Sequence, residues 1–457
     1  SFYPLLNFTK GLASQSSFDT LKVWILTDYT FSVNDEKTNP VKSTLFGPSI
    51  VLPQEYSQIE CRMIDILPAE ISAKDTQRRI LNEISAKAPD IEPFVAIRGV
   101  KRWVKRYEKA AIAPVENKDG FKQDGVYIIT GGLGRIATSL SEKLATFNAK
   151  IILTTRGDTK TQRIKDHIHE LESKGATVHV LQADMGKFDD VENIIDAAIK
   201  EYGKVDGIFH LAGVADLRYL PDINEEICEL EFNPKIYGLL NLEKALSNLI
   251  EEKDIKPDFV MMFSSLASIL GGYSMTAYTA ANRFMDAFTQ INPYRLGIKW
   301  LCTNWDDWDF EYSKEQVSAY EQTVAKYSMS PEDGIESIRR IISMSEPLQI
   351  LISTRQMNPR VEQWLHQKAE DEEQSENSDE KQTDDLVQRI SNIYKDVLSI
   401  PELNDDDNFF SVGGDSLIAS QILLKLRRNI KEYSSKLTLA CVFDYPSVAS
   451  LANWLKE

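Results

Sequence analysis

Short apolar runs that alternate with helical patterns are the feature that most constrains the fold of this chain. Each run is four to six residues long and rich in Val, Ile and Leu. This alternation predicts parallel strands joined by crossover helices, and therefore an α/β fold built on a doubly wound, Rossmann-like parallel sheet. The runs are Val126–Thr130, Lys150–Thr155, Thr177–Gln182, Gly207–His210, 259–264 and 348–353.

A strongly acidic segment indicates where this α/β part ends. Residues 369–385 contain nine acidic residues against one lysine, and almost no apolar side chain. Such a segment has nothing to bury in a core, so we predict a flexible, self-repelling linker rather than a solvated helix face. At 457 residues the chain also exceeds the usual size of a single core, which predicts folded units on both sides of the linker.

The patterns on either side of the linker define the expected segments. The first part holds strand-like runs at Leu21–Thr27 and Phe94–Arg98 but no phosphate-binding glycines, which predicts a structural, cofactor-free subdomain. The last part holds three amphipathic helical patterns, 385–398, 416–429 and 447–456, and predicts a small helical bundle. The expected boundaries are a structural subdomain at 1–116, a catalytic subdomain at 117–367, the linker at 368–384 and the bundle at 385–457.

Composition excludes several classes of function. A formal net charge of −17 would repel nucleic acid and anionic membrane surfaces, and no apolar run is long enough to span a bilayer. The four cysteines lie far apart, and with the five histidines they form no spacing typical of metal ligands. We therefore expect reduced thiols, no metal and a cytoplasmic location. The start at Ser1, without an initiator Met or a signal peptide, predicts a fragment of a longer protein.

A glycine-rich turn follows the first strand of the α/β part. The sequence Gly131-Gly132-Leu133-Gly134-Arg135-Ile136-Ala137 leads from this strand directly into a helical pattern, which predicts a pyrophosphate site at the helix N-terminus. The end of the next strand carries Arg156, where NAD-binding proteins place an acidic residue. A guanidinium suits a 2′-phosphate, so NADPH is favoured over the alternative of an ordinary surface arginine. The expected cofactor contacts are Gly131, Gly132, Leu133, Gly134, Ile136, Thr155, Arg156, Ala183, Asp184, Met185, Ala212 and Gly213.

A polar constellation follows later strands. Ser265 directly follows the fifth run, and thirteen residues later Tyr278 begins a helical pattern in which Asn282 lies one turn further on. Hydride transfer to a ketone builds negative charge on its oxygen, which must be stabilised and then protonated. A phenol with an ordinary pKa of about 10 is a poor acid near neutral pH unless its surroundings lower that value. A tyrosine with a neighbouring hydroxyl and a cation is therefore a candidate reducing site.

These motifs resemble the short-chain dehydrogenase/reductase superfamily, and within it the ketoreductase domains of modular polyketide synthases and animal-type fatty acid synthases. Ordinary members place Lys four residues after the Tyr, whereas this sequence has Asn282 there and offers Lys235 in Asn233-Pro234-Lys235-Ile236-Tyr237-Gly238. That exchange is the mark of the synthase ketoreductases. Further matches are 207–213, 303–305 and 330–334, and the segment 1–116 resembles the truncated Rossmann half that precedes these domains.

The resemblance implies a role for each residue of the constellation. Tyr278 donates the proton, Ser265 holds the substrate oxygen, Lys235 favours the phenolate by its charge, and Asn282 positions Lys235 or a water. Taken singly, the same residues are ordinary strand-end, half-buried or solvated side chains, and only their combination in order favours the catalytic interpretation. His210 lies in an apolar strand and is interpreted as a satisfied core histidine.

Some positions depart from the family pattern. Ala137 replaces the usual third glycine, and Ala is small enough to preserve helix packing. The markers of product stereochemistry are missing, since Ala215-Asp216-Leu217 stands where one class has Leu-Asp-Asp and Leu270 stands where the other class has Trp. The product configuration therefore stays open. The aromatic segment 305–327 is expected to form a helical lid over the acyl chain.

The pattern 407–417, with Gly413-Gly414-Asp415-Ser416-Leu417, places a serine at the start of a helix. Ser416 is compatible with a simple N-cap, and a phosphate on its hydroxyl would meet the favourable helix N-terminus. Together with Phe443-Asp444-Tyr445-Pro446-Ser447, the segment 384–457 resembles acyl and peptidyl carrier proteins, which are small four-helix bundles. The resemblance implies that a phosphopantetheinyl transferase attaches 4′-phosphopantetheine to Ser416.

The resemblance as a whole implies NADPH-dependent reduction of a carrier-bound 3-oxoacyl thioester to a hydroxyacyl thioester. The partners would be that substrate, the transferase, neighbouring synthase domains and, as an open alternative, a separate acyltransferase. Two other functions stay open: reduction of a 2-oxo group in a hybrid synthase, and a silent reductase scaffold in which only the carrier is active.

Overall fold

The computed structural model describes a defined set of residues. These are residues 2–13, 21–33, 36–56, 59–86, 92–110, 120–310, 328–344, 349–365, 386–398, 400, 402–409, 412, 419, 422–423, 425–426, 429–433, 436–437 and 439–456. The linker predicted at 369–385 and the carrier serine Ser416 lie outside this set. The chain divides into two compact units, one with Ser1–Asp306 and Pro331–Lys368 and the other with Asp307–Ser330 and Ala369–Glu457.

The first unit contains the doubly wound parallel sheet that the sequence predicts. Within the described residues this sheet has seven strands in the order β11-β10-β9-β8-β5-β6-β7, and every neighbouring pair is parallel. The order reverses between β5 and β8, which is the place where such sheets bind ligands at the carboxyl ends of their strands. The strands are β5 (Val126–Thr130), β6 (Lys150–Thr155), β7 (Thr177–Gln182), β8 (Gly207–His210), β9 (Phe259–Ser265), β10 (Lys299–Trp305) and β11 (Gln349–Ile352).

The predicted strands match the observed ones closely because fully buried parallel strands read as continuous apolar runs. Strand β10 is the exception, since no prediction was made for it. Its sequence mixes apolar residues with Lys299, Thr303 and Asn304, yet Thr303 and Asn304 are completely buried. Their side chains bond to neighbouring strands and helices, as in the hydrogen bond from Thr303 Oγ1 to the carbonyl of Met262. Polar residues whose hydrogen bonds are satisfied in this way interrupt the apolar pattern, so a central strand that contains them is not recognised from the sequence.

Helices cover the sheet. The helix that carries the candidate tyrosine is α11, and its residues Ala280, Ala281 and Phe284 are buried in the main core. The helices before the sheet are α1 (Phe2–Ala13), α2 (Pro40–Ser43), α3 (Phe46–Glu55) and α4 (Lys74–Ser85). Those that follow within the first unit are α5 (Arg135–Ala145), α6 (Gln162–Ser173), α7 (Phe188–Tyr202), α8 (Glu225–Phe232), α9 (Gly238–Lys253), α10 (Ala267–Leu270), α11 (Thr276–Ile291), α12 (Pro331–Ser343) and α13 (Met357–Leu365).

The segment before β5 forms a smaller sheet of its own. Strands β1 (Leu21–Thr27), β2 (Ile59–Ile66) and β3 (Phe94–Arg98) are parallel, and β4 (Lys101–Trp103) pairs antiparallel with β3. Val23, Ile59 and Cys61 of this sheet belong to the same core cluster as α11, whereas Ile64, Ile66, Val95 and Ile97 form a separate cluster with Ile80 of α4. The strands predicted at Leu21–Thr27 and Phe94–Arg98 coincide with β1 and β3.

The end of α3 holds the loop that leads into α11. Gln54 accepts a hydrogen bond from the Gly272 amide at 2.8 Å and donates one to the Leu270 carbonyl at 2.6 Å. Glu55 is 1% exposed, and its carboxylate accepts hydrogen bonds from the amides of Ser274 (3.0 Å) and Leu220 (2.8 Å). Gln54 and Glu55 of α3 therefore hold loop residues 270–274 in place by hydrogen bonds.

We expect Glu55→Gln to destabilise the first unit by about 2 kcal/mol, because one of the two buried amides then faces an NH2 group instead of an oxygen. Urea unfolding followed by tryptophan fluorescence measures this change. Glu60→Gln is the matched control, since the Glu60 side chain on β2 is 41% exposed and forms ion pairs with Arg62 and Lys22. Equal stability of the two variants would contradict the assigned role of Glu55.

The second unit is built from helices. They include α14 (Leu386–Leu398), α15 (Leu439–Asp444) and α16 (Val448–Lys456). Tyr394 and Phe409 are nearly fully buried in its core and meet edge to face, with ring centroids 5.9 Å apart. Leu451 and Leu455 of α16 are fully buried as well. The small helical bundle predicted after the linker agrees with this part.

Among the described residues, the helices are all too short or too polar to cross a bilayer.

Candidate active site

The glycine-rich turn connects β5 to α5 at the reversal point of the sheet. Gly131 has a positive φ of 65°, and a Cβ there would lie 2.9 Å from the Cα of Ala212. A Cβ on Gly132 would lie 2.7 Å from that of Leu153. Both positions thus require glycine, for backbone conformation and for close approach to β6 and the segment after β8. One side of the turn packs tightly against the sheet, and its outer side is accessible to a ligand.

The outer side of the turn fits a dinucleotide phosphate. Around a Cβ placed on Gly134, the nearest atom is the Gly131 carbonyl oxygen at 3.4 Å, so the space above this residue is open. Gly134 precedes α5, whose first N–H groups have no partner within the helix and carry its positive dipole end. Leu133 and Ile136 are half-buried beside this opening, and Ala137 is fully buried against the sheet. An anion would be stabilised at this helix end.

The predicted adenosine side of the site lies at the ends of β6 and β7. Arg156 follows β6 and is exposed, with its carbonyl accepting a hydrogen bond from Gln182. The amide of Ala183 bonds to the Thr155 carbonyl at 2.8 Å, which joins the two strand ends. Asp184 Oδ1 accepts hydrogen bonds from Asn233 Nδ2 at 2.7 Å and from the Gly186 amide at 3.0 Å. Asp184 therefore already ties its loop to the turn that carries Lys235.

Lys235 lies in a π-helical turn, Asn233–Tyr237, between α8 and α9. Its side chain is 5% exposed, and Nζ donates a hydrogen bond to the Phe263 carbonyl at 3.0 Å. A Cβ on Gly213 would lie 3.0 Å from Lys235 Cε, so this glycine leaves room for the lysine stem. Burial lowers the pKa of Lys235 to about 8, and the nearby Glu231 and Asp286 offset only part of that effect. Lys235 is a buried cation at neutral pH.

The structure brings Lys235 and Tyr278 together. Lys235 Nζ lies 5.6 Å from the centre of the Tyr278 ring, although the residues are far apart in the sequence. Tyr278 is half-buried near the start of α11. Ser265 ends β9, two residues after the carbonyl that binds Lys235, and its hydroxyl accepts a hydrogen bond from the Ala267 amide at 3.1 Å. The hydroxyl, phenol and ammonium thus belong to adjoining elements at the carboxyl edge of the sheet.

Asn282 lies one turn after Tyr278 on α11. Its Nδ2 donates a hydrogen bond to the Tyr278 carbonyl at 2.8 Å. The residue is fully buried, and its Oδ1 has no hydrogen-bond partner among the described residues. Buried amide oxygens are normally satisfied, so Oδ1 is free to accept a bond from a water or an ammonium group. The expectation that Asn282 positions Lys235 or a water stays a prediction.

His210 connects the glycine turn to the lysine turn. Its Nε2 donates to the Pro234 carbonyl at 3.0 Å, and its Nδ1 lies 2.9 Å from Thr130 Oγ1, which accepts a hydrogen bond from the Ala212 amide. Burial, together with the charge of Lys235, lowers the pKa of His210 to about 4, so the ring is neutral. This agrees with the interpretation of His210 as a satisfied core histidine, and it positions Pro234 beside Lys235.

Sequence reasoning missed Asp286, which is 1% exposed on α11. Its Oδ1 accepts hydrogen bonds from Ser264 Oγ and Asn304 Nδ2, both at 2.8 Å, and its Oδ2 accepts one from Ser268 Oγ at 2.6 Å. These bonds fasten α11 to β9, β10 and α10, and so they fix the helix that presents Tyr278. The sequence does offer a signal for Asp286, because it is an aspartate among apolar residues, eight positions after the tyrosine.

The positions of the stereochemical markers have different surroundings. Leu270 is 4% exposed and packs with Leu266 and Ile269. Asp216 accepts a hydrogen bond from Arg218 Nε at 2.7 Å, and its own amide donates to the buried Glu231 at 2.9 Å. Burial raises the pKa of Glu231 to about 7. Neither marker position therefore offers the side chain by which a product configuration is recognised.

Two sequence-predicted features fall partly or wholly outside the described residues. Ser416 and its glycines lie outside them, as do residues 311–327 of the predicted lid. At the start of that lid, Trp305 stacks on Phe263 with ring centroids 5.4 Å apart. The carrier serine and the rest of the lid stay sequence-based predictions.

A parallel sheet with this strand order has a glycine turn at its reversal point and a buried lysine beside a tyrosine. The sequence model of the KR domain family matches residues 125–309, and that of the phosphopantetheine attachment site matches residues 388–455. The chain therefore contains a ketoreductase domain followed by a carrier domain, as polyketide synthases do.

Relatives of known sequence agree with this assignment. Polyketide synthase PksN of Bacillus subtilis is 25% identical over 434 residues, which is 88% of this chain and 8% of the relative. The mycocerosic acid synthase-like polyketide synthase of Mycobacterium tuberculosis is 33% identical over 181 residues, which is 39% of this chain and 8% of the relative. The chain thus spans under a tenth of the length of these synthases.

Solved structures show the same fold. A ketoreductase domain from the bacillaene assembly line has a TM-score of 0.64 and 22% identity, covering 80% of this chain and 84% of that one. The ketoreductase from the first module of phoslactomycin biosynthesis in Streptomyces sp. HK803 has a TM-score of 0.68 and 18% identity, covering 80% and 82%. The expected fold class is confirmed.

Proposed function

We propose that this chain reduces a carrier-bound 3-oxoacyl thioester to a hydroxyacyl thioester with NADPH, and that phosphopantetheinylated Ser416 tethers the acyl chain. The observation that carries the proposal is the buried Lys235 ammonium 5.6 Å from the Tyr278 ring. A buried cation beside a phenol favours the phenolate, and therefore favours release of the phenolic proton. The predicted segment boundaries, 1–116, 117–367, 368–384 and 385–457, belong to the same proposal.

Each residue of the candidate site has a distinct task in this reaction. Bound NADPH supplies the hydride that reaches the ketone carbon. Tyr278 donates its phenolic proton to the ketone oxygen as negative charge develops there. The Ser265 hydroxyl holds that oxygen within reach of the phenol, and Lys235 stabilises the phenolate left behind. Asn282 keeps a water or Lys235 in place through its free Oδ1.

Arg156 is the proposed selector of NADPH. The exposed guanidinium at the end of β6 suits a 2′-phosphate because it offers two parallel charge-assisted hydrogen bonds. We expect Arg156→Ala to raise the Kd for NADPH at least about tenfold and to leave the Kd for NADH nearly unchanged. Fluorescence titration of both cofactors measures this. Arg163→Ala, an exposed arginine of α6, is the control. Equal weakening for both cofactors would contradict the assignment of Arg156 to the 2′-phosphate.

The Lys235 charge predicts a pH dependence. A lysine is a cation below its pKa, and burial lowers that of Lys235 to about 8. The stabilisation of the phenolate is therefore present at neutral pH and is lost as pH rises through about 8, so kcat/KM for reduction should fall above that pH. Steady-state rates from about pH 6 to pH 9 give the profile, and circular dichroism at each pH shows whether the fold is intact. A rate that is flat through pH 8 would contradict this role for Lys235.

The carrier function rests on the match to the phosphopantetheine attachment site and on the serine pattern at 413–417. A long prosthetic arm and an acidic linker of low hydrophobicity let one carrier reach several sites. A phosphopantetheinyl transferase is the proposed partner for loading, and neighbouring synthase domains supply and remove the acyl chain.

NADPH oxidation with a small 3-oxoacyl thioester tests the reductase. We expect turnover and a single configuration of the hydroxyacyl product, which chiral chromatography then identifies. If NADPH binds but only the 2-oxo isomer is reduced, the substrate assignment is wrong and a hybrid synthase is favoured. If NADPH does not bind, the reductase is a silent scaffold.

A further inference from the structure

A cavity of 310 Å³ lies between the smaller sheet and α11. Tyr278, Ser265 and Lys235 do not line it. The α11 residues at its wall are Arg283, Asp286, Ala287 and Gln290, whose spacing forms one face of the helix, directed away from that of Tyr278. The remaining wall comes from Thr30, Phe31, Ser32, Val33, Ser43, Phe94, Ala96, Trp103, Val104 and Lys105. The cavity is therefore separate from the candidate active site, although both adjoin α11.

Three hydrogen-bond donors at this cavity have no partner among the described residues. They are Ser43 Oγ, Trp103 Nε1 and Arg283 Nε, and each of these atoms is buried. Ser43 and Arg283 are only 2% and 7% exposed. An unsatisfied buried donor costs about 1–3 kcal/mol, so three of them on residues that line one space favour an occupant that brings acceptors.

The charges around the cavity favour an anion. Arg283 and Lys105 contribute two positive charges, and Asp286 contributes one negative charge. Asp286 Oδ2 lies 3.9 Å from Arg283 Nη1, so these two charges partly compensate each other and Lys105 leaves a net positive charge at the wall. Lys105 is exposed, and its nearness to protein atoms and to the Arg283 charge lowers its pKa, an effect that a bound anion would oppose.

The rest of the wall is apolar. Phe31, Val33, Phe94, Val104 and Ala287 face the same space. A cavity of this volume lies at the small end of the range for ligand pockets, and a purely inorganic ion would leave its apolar part unfilled. Residues with hydrogen-bond donors line one part of the cavity and apolar side chains line the other. This combination suits an amphiphile with a single anionic group.

We propose that this cavity is a binding site for a small organic carboxylate with a short apolar body, held by Arg283, Lys105, Ser43 and Trp103. The carboxylate accepts hydrogen bonds from the orphaned donors, and the hydrocarbon packs on the apolar wall. Because Arg283 and Asp286 belong to α11, an occupant also braces the helix that presents Tyr278.

Isothermal titration with hexanoate, hexanamide and inorganic phosphate tests the site, on the whole chain saturated with NADPH. We expect hexanoate to bind with a Kd of about 1 mM or tighter, and hexanamide to bind at least about tenfold more weakly because it lacks the charge. Lys105→Met should weaken hexanoate about tenfold, and Ser43→Ala should weaken it as well. Lys74→Met is the matched control, since Lys74 is an exposed residue at the start of α4 and does not line the cavity.

Several results would overturn the proposal. Absence of hexanoate binding would mean that the cavity holds only solvent. Binding that Lys105→Met and Ser43→Ala leave unchanged would place hexanoate elsewhere, for example at the acyl site beside Tyr278. Equal affinity for phosphate would replace the organic carboxylate by an inorganic oxyanion. The exposed stem of Lys105 makes loss of folding in Lys105→Met improbable, and thermal unfolding of each variant checks it.

Discussion

Replacing Tyr278 by phenylalanine is expected to lower kcat for ketone reduction by about 10²–10⁴-fold, which is the usual contribution of a positioned general acid. The ring stays in place beside Lys235, so packing and the Kd for NADPH should change little. Stopped-flow or steady-state NADPH oxidation measures the rate, and fluorescence titration measures cofactor binding. The variant removes only the proton that the developing alkoxide needs.

Tyr294→Phe is the matched control for this experiment. Tyr294 follows α11 and is 47% exposed, so loss of its hydroxyl should leave the rate unchanged. A Tyr278→Phe variant that retains more than a tenth of the parent rate would mean that water or another residue delivers the proton. In that case Asn282, with its free Oδ1, would be the next residue to replace.

The Ser416→Ala variant is expected to accept no phosphopantetheine at all, because no other group can replace the attacking hydroxyl. Incubation with a phosphopantetheinyl transferase and coenzyme A, followed by intact-protein mass spectrometry, should show one added group on the parent and none on the variant. Reduction of a small, free thioester should be equal in the two proteins, since the reductase lies in the other unit.

Ser411→Ala provides a control within the same segment and should load fully. Modification of the Ser416→Ala variant would show that another serine of this unit carries the arm. A parent chain that cannot be loaded, while a known carrier is loaded in the same reaction, would contradict the proposed carrier function.

Much of the α/β framework follows from local patterns. Strands β5, β6 and β8 end at the residues that their apolar runs predict, because a strand buried on both faces has few polar interruptions. The edge strand β7 also has its predicted bounds, although its Thr177, His179 and Gln182 are exposed. Strands β2, β4 and β10 were not predicted. Strand β10 carries Thr303 and Asn304, whose polarity is compensated by partners that are remote in sequence, such as Ser264 and Asp286.

The candidate site divides in the same way. The glycine turn, Tyr278 and Asn282 are visible in the sequence because their spacing is local to one turn or one helix. Lys235 was assigned only through a family resemblance, since nothing local connects residue 235 with residue 278. In the structure, a π-helical turn carries Lys235, and its hydrogen bond to the carbonyl of Phe263 holds it beside Tyr278.

By itself, the sequence determined most strands of the larger sheet and the position of the glycine turn, since each of these depends on neighbouring residues. Only the tertiary structure decided that Gln54 and Glu55 hold the loop before α11, that Asp286 fastens this helix, and that three residues with unpaired donors line one cavity. These features arise from contacts between residues far apart in the chain, and burial of a polar group depends on partners that no local pattern specifies.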